Sequence, residues 1–225
     1  MLNRLYIRSI AMASIAARVV GQSIVPGGCA FCGQWLPPKQ HNICRPCRVD
    51  LPWIRPRFHL DPLTVAIAPL AYSFPIDAAI KRFKFQRKLF YGPAFCRLLD
   101  EAVRELPGDI DALLPVPLHW RRLAARGFNQ AAEISGGARR AMCLPVITNV
   151  RRTRHTPYQS GLAAAQRRRN LKKAFRATGA VAYRHVLIID DVITTGETCR
   201  GLARVLLDAG VERVSALAIA RALPG

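Results

Sequence analysis

Two adjacent carboxylates, Asp190 and Asp191, end the apolar run Val186-Leu187-Ile188-Ile189. A hydroxyl-rich turn follows, Thr194-Thr195-Gly196-Glu197-Thr198. Carboxylates in such a place can accept hydrogen bonds from sugar hydroxyls or hold Mg²⁺ through water. The turn has the size and the donors for a phosphate: glycine lets the backbone approach closely, and Thr194, Thr195 and Thr198 add hydroxyls. A helix starting there adds free N–H groups and a partial positive charge. The plainer alternative is a helix N-cap beside a polar loop. A nucleotide-triphosphatase acid pair would need a G-x-x-x-x-G-K-[ST] loop, and the nearest match, Gly28–Gly33, continues with Gln34. No G-x-G-x-x-G occurs, so a dinucleotide fold has no support.

The second group with chemistry is two C-x-x-C pairs, Cys29/Cys32 and Cys44/Cys47, separated by Gly33 and ten further residues. Four thiolates at this spacing suit tetrahedral Zn²⁺. Gly33 helps a tight turn around a metal, and His41 could replace one ligand. Two disulfides are the rival reading, and they require an oxidising compartment that nothing else in the chain suggests. Cys96, Cys143 and Cys199 fall in apolar or helical contexts. Cys199 opens the helix after the turn, where a thiol pKa could drop.

The elements that must position these groups follow from the hydrophobic pattern. Leu202, Val205, Leu206 and Ala209 share one helical face, so a helix over 200–209, closed by Gly210, should follow the turn. Strands are predicted over 64–72, 111–116, 146–150 and 213–220, with the acid-bearing strand starting at His185. Ile76, Ala79, Ile80 and Phe83 make a helical stripe, and further helices should cover 93–106 and 128–142, the latter weakened by Gly136-Gly137. A polar loop is expected over 151–168. Strands alternating with helices imply an α/β fold, a parallel sheet with helices on both faces. The Pro-rich stretch from Leu51 to Pro62 reads as a linker. Three parts result: an amphipathic helix over 1–25, a four-cysteine module over 26–52 and the main domain over 63–225. The first helix packs beside the cysteine module, or else is a targeting or membrane-surface segment. Its apolar run is too short to span a membrane, and a cytoplasmic location is the default expectation.

The 225 residues carry a net charge of +20, and their acids are unevenly spread: none before Asp50 and none between Glu133 and Asp190. Such a field concentrates polyanions, with a strong salt dependence. Three basic segments stand out. Arg121, Arg122 and Arg126, after a strand end turned by Pro115 and Pro117, could seat a pyrophosphate, since guanidinium groups bind phosphate oxygens bidentately. Arg152 to Asn170, with Arg167, Arg168 and Arg169, could fold over an anionic substrate. Lys81, Arg82 and Lys84 interleave with Phe83 and Phe85, a pattern suited either to base stacking on Phe85 or to a solvated helix face.

The stretch from Asp190 to Thr198 resembles the phosphoribosyl pyrophosphate (PRPP) loop of type I phosphoribosyltransferases. The resemblance implies that Asp190 and Asp191 hold the ribose 2′ and 3′ hydroxyls and that Thr194, Thr195, Gly196, Glu197 and Thr198 cradle the 5′-phosphate. Pro117, Arg126, Arg152 and Arg168 then meet the pyrophosphate, with Mg²⁺ bound alongside PRPP. With the two C-x-x-C pairs, K-R-F-K-F at Lys81–Phe85, P-V-P-L at Pro115–Leu118 and R-G-F-N-Q at Arg126–Gln130, the chain from about Cys29 to Ala220 is similar to the ComF (also GntX) family. That resemblance implies a type I phosphoribosyltransferase-like domain beside a zinc-ribbon-like module. It also implies a role in DNA uptake and natural transformation, with contact to single-stranded DNA and to replication or recombination proteins. Two functions are open. One is a phosphoribosyltransferase of unknown acceptor. The other is a non-catalytic adaptor that grips single-stranded DNA with Lys81, Lys84, Phe85, Arg167 and Arg169. No base-recognition hood is recognisable. No helix-turn-helix stands out either, so a transcription regulator using PRPP as effector ranks last.

Overall fold

The apolar run before the acid pair is a nine-residue strand, β7 (His185–Ile193), between two parallel neighbours in a six-stranded sheet. The computed structural model describes residues 27–37, 42–154 and 174–223. The chain divides into two units, Met1–Asp50 and Leu51–Gly225. The helix expected over 1–25, His41, Arg167, Arg168 and Arg169 lie outside the described residues.

In the second unit the sheet runs β1 (Arg57–Phe58), β2 (Ala66–Ile67), β8 (Arg213–Arg221), β7, β4 (Ala112–Pro115), and β3 (Leu70–Ala71) also pairs with β8. Every pairing is parallel except β1 with β2. Leu113 stands opposite Leu187, and Ile188 opposite Ala216. β4, β7 and β8 are almost wholly buried, which is why they read as continuous apolar runs rather than alternating ones. His185 anchors the start of β7. Its buried ring is hydrogen-bonded through Nδ1 to the Asp109 carboxylate Oδ1 (2.9 Å) and through Nε2 to Ser215 Oγ (2.8 Å).

Helices cover both faces, as expected. α6 (Glu197–Asp208) buries Cys199, Leu202, Ala203 and Leu206 in one cluster with Val186, Ile188, Val214 and Ala216. α3 (Gly92–Ala102) packs on α5 (Gln130–Met142), and this pair meets β4, β7 and β8. Gly137 does not weaken α5 so much as make this crossing possible. A Cβ there would lie 2.3 Å from the Cys96 carbonyl oxygen. α2 (Ile76–Gln86) buries the anticipated stripe of Ile76, Ala79, Ile80 and Phe83. Phe83 meets Phe95 and Phe128 edge-on, at 5.4 and 5.2 Å between centroids.

Several elements differ from expectation, each for a local reason. The strand over 64–72 is interrupted between β2 and β3, where Pro69 has no N–H to give and the Ala68 amide turns to the Pro56 carbonyl (2.9 Å). The stretch taken for a linker belongs to the second unit: it supplies β1 and buries Leu51 and Leu60. The helix expected to reach Leu106 is α for Gly92–Ala102 and tightens to 3-10 over Val103–Glu105. Leu106, ahead of a proline, is extended. Val146 makes only a bridge to Leu113, and the strand there is β5 (Val150–Arg152), paired antiparallel with β6 (Phe175–Ala177). A short helix that periodicity did not reveal, α4 (Trp120–Arg126), follows β4. His119 caps it by accepting the Arg121 N–H at Nδ1 (3.3 Å), and Gly127 ends it at φ +80°. Among the described residues no helix is long and apolar enough to cross a membrane.

Candidate functional site

β7 carries Asp190 and Asp191 to the C-terminal lip of the sheet, where open α/β sheets receive ligands. Asp190 is half-buried, whereas Asp191 is only 2% exposed. Asp190 Oδ1 accepts the Asp191 N–H (2.9 Å). The Lys84 ammonium, from the last turn of α2, forms an ion pair with Asp191 Oδ2. Burial, then the charge of Asp191, hold the Asp190 carboxyl well above the ordinary carboxylate range, and Lys84 pulls it partly back. Burial alone would lower the Lys84 pKa. The charges of Asp191 and Asp190 outweigh burial and keep it above the usual lysine value.

The turn after β7 closes on Gly196, which has φ +77°. A Cβ there would sit 2.5 Å from Leu60 Cδ1, which would have to move aside, and the left-handed backbone itself favours glycine. Gly196 is the N-cap of α6 and offers no side-chain cap, so the helix presents its first N–H groups, which have no intrahelical acceptor. Thr194 and Thr195 are exposed and Thr198 is half-buried. Arg200 braces the turn: its Nη1 donates to the Thr195 carbonyl (2.6 Å) and pairs with Glu197 Oε1 (3.2 Å), and its Nε donates to the Asp61 carbonyl (3.2 Å).

Cations gather around the acids. Burial lowers the Arg152 guanidinium to about 10, with the charge of Arg122 acting in the same direction and Asp190 opposing it. Arg126 stacks 5.1 Å above the Phe85 ring, donates to Gln130 Oε1 (3.0 Å), and its charge is felt at Lys84. The loop before α4 is held by Asn129, whose Nδ2 donates to the Val116 carbonyl (3.1 Å) and whose Oδ1 caps α5 at Ala131 (3.0 Å). This fixes the half-buried Pro117 beside the strand end. Cys199 does not have the depressed pKa its helix position suggested; burial and then Asp190 push its thiol up, leaving it inert.

In the first unit the sulfurs of Cys29, Cys32, Cys44 and Cys47 all lie within 4.8 Å of one another. All four are free thiols, not two disulfides. Cys32 Sγ and Cys44 Sγ are 3.7 Å apart. A tetrahedral zinc with Zn–S bonds of about 2.3 Å sets its sulfurs about 3.8 Å apart, so the cluster is compatible with that ion. The amide of Cys44 points at Cys29 Sγ (3.4 Å) and that of Cys47 at Cys44 Sγ (3.5 Å). Burial would raise the Cys29 thiol, but the amides of Cys44, Cys32 and Phe31 lower it to about 6. Gly33 takes φ +76° at the turn, and α1 (Arg45–Val49) begins between the second pair of cysteines.

A phosphoribosyl transferase domain model matches residues 124–223. The chain is 39% identical over 163 residues to competence protein F of Haemophilus influenzae, an alignment covering 67% of this chain and 70% of that one. It is 32% identical over 221 residues to DNA utilization protein YhgH of Salmonella typhimurium, covering 93% and 90%. With competence protein ComFC of Bacillus subtilis it shares 27% identity over 185 residues, covering 81% and 72%. The chain belongs to the ComF family.

The ComF chain has the fold expected of it: a phosphoribosyltransferase domain and an N-terminal cysteine cluster. Of the residues singled out in the sequence, Asp190, Asp191 and Lys84 feel one another's charge, Asp190 also acts on Arg152, and Arg126 and Arg122 are felt at Lys84 and Arg152 in turn. Lys81 stays outside this group, bonded to Asp77 Oδ2 (2.8 Å) on the exposed side of α2. Phe85 is 59% exposed. Sequence reasoning missed Arg200 and Leu60. The spacing of Glu197 and Arg200, three apart on a helix, could have shown the first. Nothing local pointed to Leu60, because its partner Gly196 is far away in the chain.

Proposed function

We propose that this ComF-family chain binds PRPP with Mg²⁺ and acts as a phosphoribosyltransferase-type protein in the handling of DNA taken up by the cell. One observation carries the reading: a half-buried carboxylate, Asp190, and a glycine turn that opens onto an uncapped helix start stand together at the lip of the sheet. The 5′-phosphate would rest on the amides and hydroxyls of Thr194, Thr195, Gly196, Glu197 and Thr198. The ribose hydroxyls would donate to Asp190. The pyrophosphate would lie by Pro117 and receive Arg122, Arg126 and Arg152, with Arg168 named on sequence grounds alone. The Asp190 carboxylate would favour the oxocarbenium-like charge at C1, and the guanidinium groups the charge left on pyrophosphate, without reorganisation at the moment of transfer. Asp190 would hold Mg²⁺ through water, as hard-cation chemistry prefers, and the ion would supply neutralisation of the pyrophosphate charge.

Zinc would be held by Cys29, Cys32, Cys44 and Cys47 as a structural cross-link, and such a thiolate site fits a reducing, cytoplasmic compartment. The relatives named for competence and DNA utilization support the DNA role. An adaptor that grips single-stranded DNA is the second reading. It is favoured by the exposed Phe85 and Trp120 amid Lys81, Arg82 and Arg121, and by the +20 charge. Replication or recombination proteins are the partners that role would bring. Calorimetric titration of the zinc-loaded protein with PRPP–Mg²⁺, and separately with a short DNA oligonucleotide, tests both readings. PRPP binding that disappears in Asp190→Asn is expected. DNA binding with a steep salt dependence, beside no PRPP binding, would put the adaptor in its place.

A further inference from the structure

Lys84 reaches the acid pair from an element distant in sequence. α2 is fixed beneath it by Ile76, Ala79, Ile80 and Phe83, all buried. The ion pair it forms with Asp191 is shielded on both sides, with the side chains 20% and 3% exposed. In so enclosed a place, removing one partner strands the other charge. The two carboxylates therefore meet different surroundings. Asp191 is closed off by Lys84. Asp190 remains half-buried at the lip, in the field of Arg152. The residue after Lys84 does a related job: Phe85 carries the Arg126 guanidinium on its ring. One turn of α2 thus holds both an acid and a cation of the pocket.

We propose that Lys84 is a positioning residue of the sugar-phosphate site: by pairing with Asp191 it withdraws that carboxylate from the ligand, leaves Asp190 as the one that meets the ribose hydroxyls, and balances the second negative charge. The proposal rests on the PRPP reading of the pocket and divides a pair of acids that the resemblance treats as equals. Lys84 then belongs to this pocket and not to a nucleic-acid face.

PRPP–Mg²⁺ affinity of the full-length, zinc-loaded protein tests it. Asp190→Asn is expected to lose about fiftyfold or more, the scale of hydrogen bonds to a charged acceptor. The paired variant Lys84→Met with Asp191→Asn, which removes both charges and strands neither, should stay within about fivefold of wild type. Lys84→Met alone should lose about tenfold, and Lys84→Arg should recover most of that, a rescue that filling space would not produce. Circular dichroism confirms that each variant is folded, and the paired variant and Lys84→Arg avoid the buried unpaired acid that could unfold Lys84→Met. A paired variant that falls as far as Asp190→Asn, beside a wild type that binds, overturns the proposal alone, because Asp191 would then touch the sugar. A wild type that binds no PRPP overturns the reading of the pocket as well.

Discussion

Asp190 sits where stability and ligand chemistry pull in opposite directions. Burial first, and the charge of Asp191 next, hold its carboxyl above the ordinary range, so the native protein releases this proton at a higher pH than the unfolded chain, which loses it near pH 4. A native state that binds more protons loses stability as pH rises from the ordinary carboxylate value through the raised one. Asp190→Asn removes that loss. The variant should melt higher than wild type at neutral pH, by a margin that shrinks as pH is lowered toward 4, while losing PRPP binding. Melting curves at several pH values measure the margin; a variant that melts lower at pH 7 would show that the carboxylate is a net structural tie. Gly196 is constrained in a different way. Its φ of +77° strains any L side chain, and the Leu60 side chain would have to give way to an added Cβ.

At the scale of elements, the crossing of α3 and α5 sets the depth of one wall of the sheet. Gly137 meets the Cys96 carbonyl, and an added Cβ would lie 2.3 Å from its oxygen and 2.9 Å from its carbon. Backbone cannot swing aside as a side chain can, so the helices would have to separate. Gly137→Ala should therefore destabilise the second unit by about 3 kcal/mol, despite the better helix propensity of alanine, and urea unfolding reads the loss. A neutral or stabilising result would mean that the crossing is looser than this geometry. α4 is the other element with consequences for the site. Seven residues between the His119 cap and Gly127 carry both Arg122 and Arg126, whose charges are felt at Arg152 and Lys84 respectively.

On the scale of the whole molecule, the two units differ in what holds them. The second has an extended sheet core with helices on both faces. The first has a buried cluster of Cys29, Leu36 and Cys44, with Phe31 and Cys47 packed on it. That is the cluster among the described residues, and a metal cross-link is the usual support for a core of that size. If zinc is held by the four cysteines as proposed, chelating it should expose the segments around them to protease, while the Leu51–Gly225 unit keeps its cooperative melt. Limited proteolysis followed by mass spectrometry distinguishes this from loss of both units together, which would count against a purely local role for the metal.

The sequence by itself determined the parts whose cause is local. The run into Asp190, the threonine-glycine turn and α6 are contiguous, so strand, turn and helix follow from one stretch of residues. The C-x-x-C pairs carry their own geometry, and the stripe of Ile76, Ala79, Ile80 and Phe83 could face only a core. Tertiary structure decided what depends on residues remote in the chain. β1, β2 and β3 are two residues each and owe their existence to neighbouring strands, β3 to β8 and β1 to β2, so no periodicity announced their limits. Lys84 looked like one more basic residue on an amphipathic helix until β7 brought Asp191 beside it. The Gly196–Leu60 and Gly137–Cys96 contacts are of the same kind: each is a close approach of two backbones or side chains that only folding brings together, and a linear pattern holds no record of distance across a core.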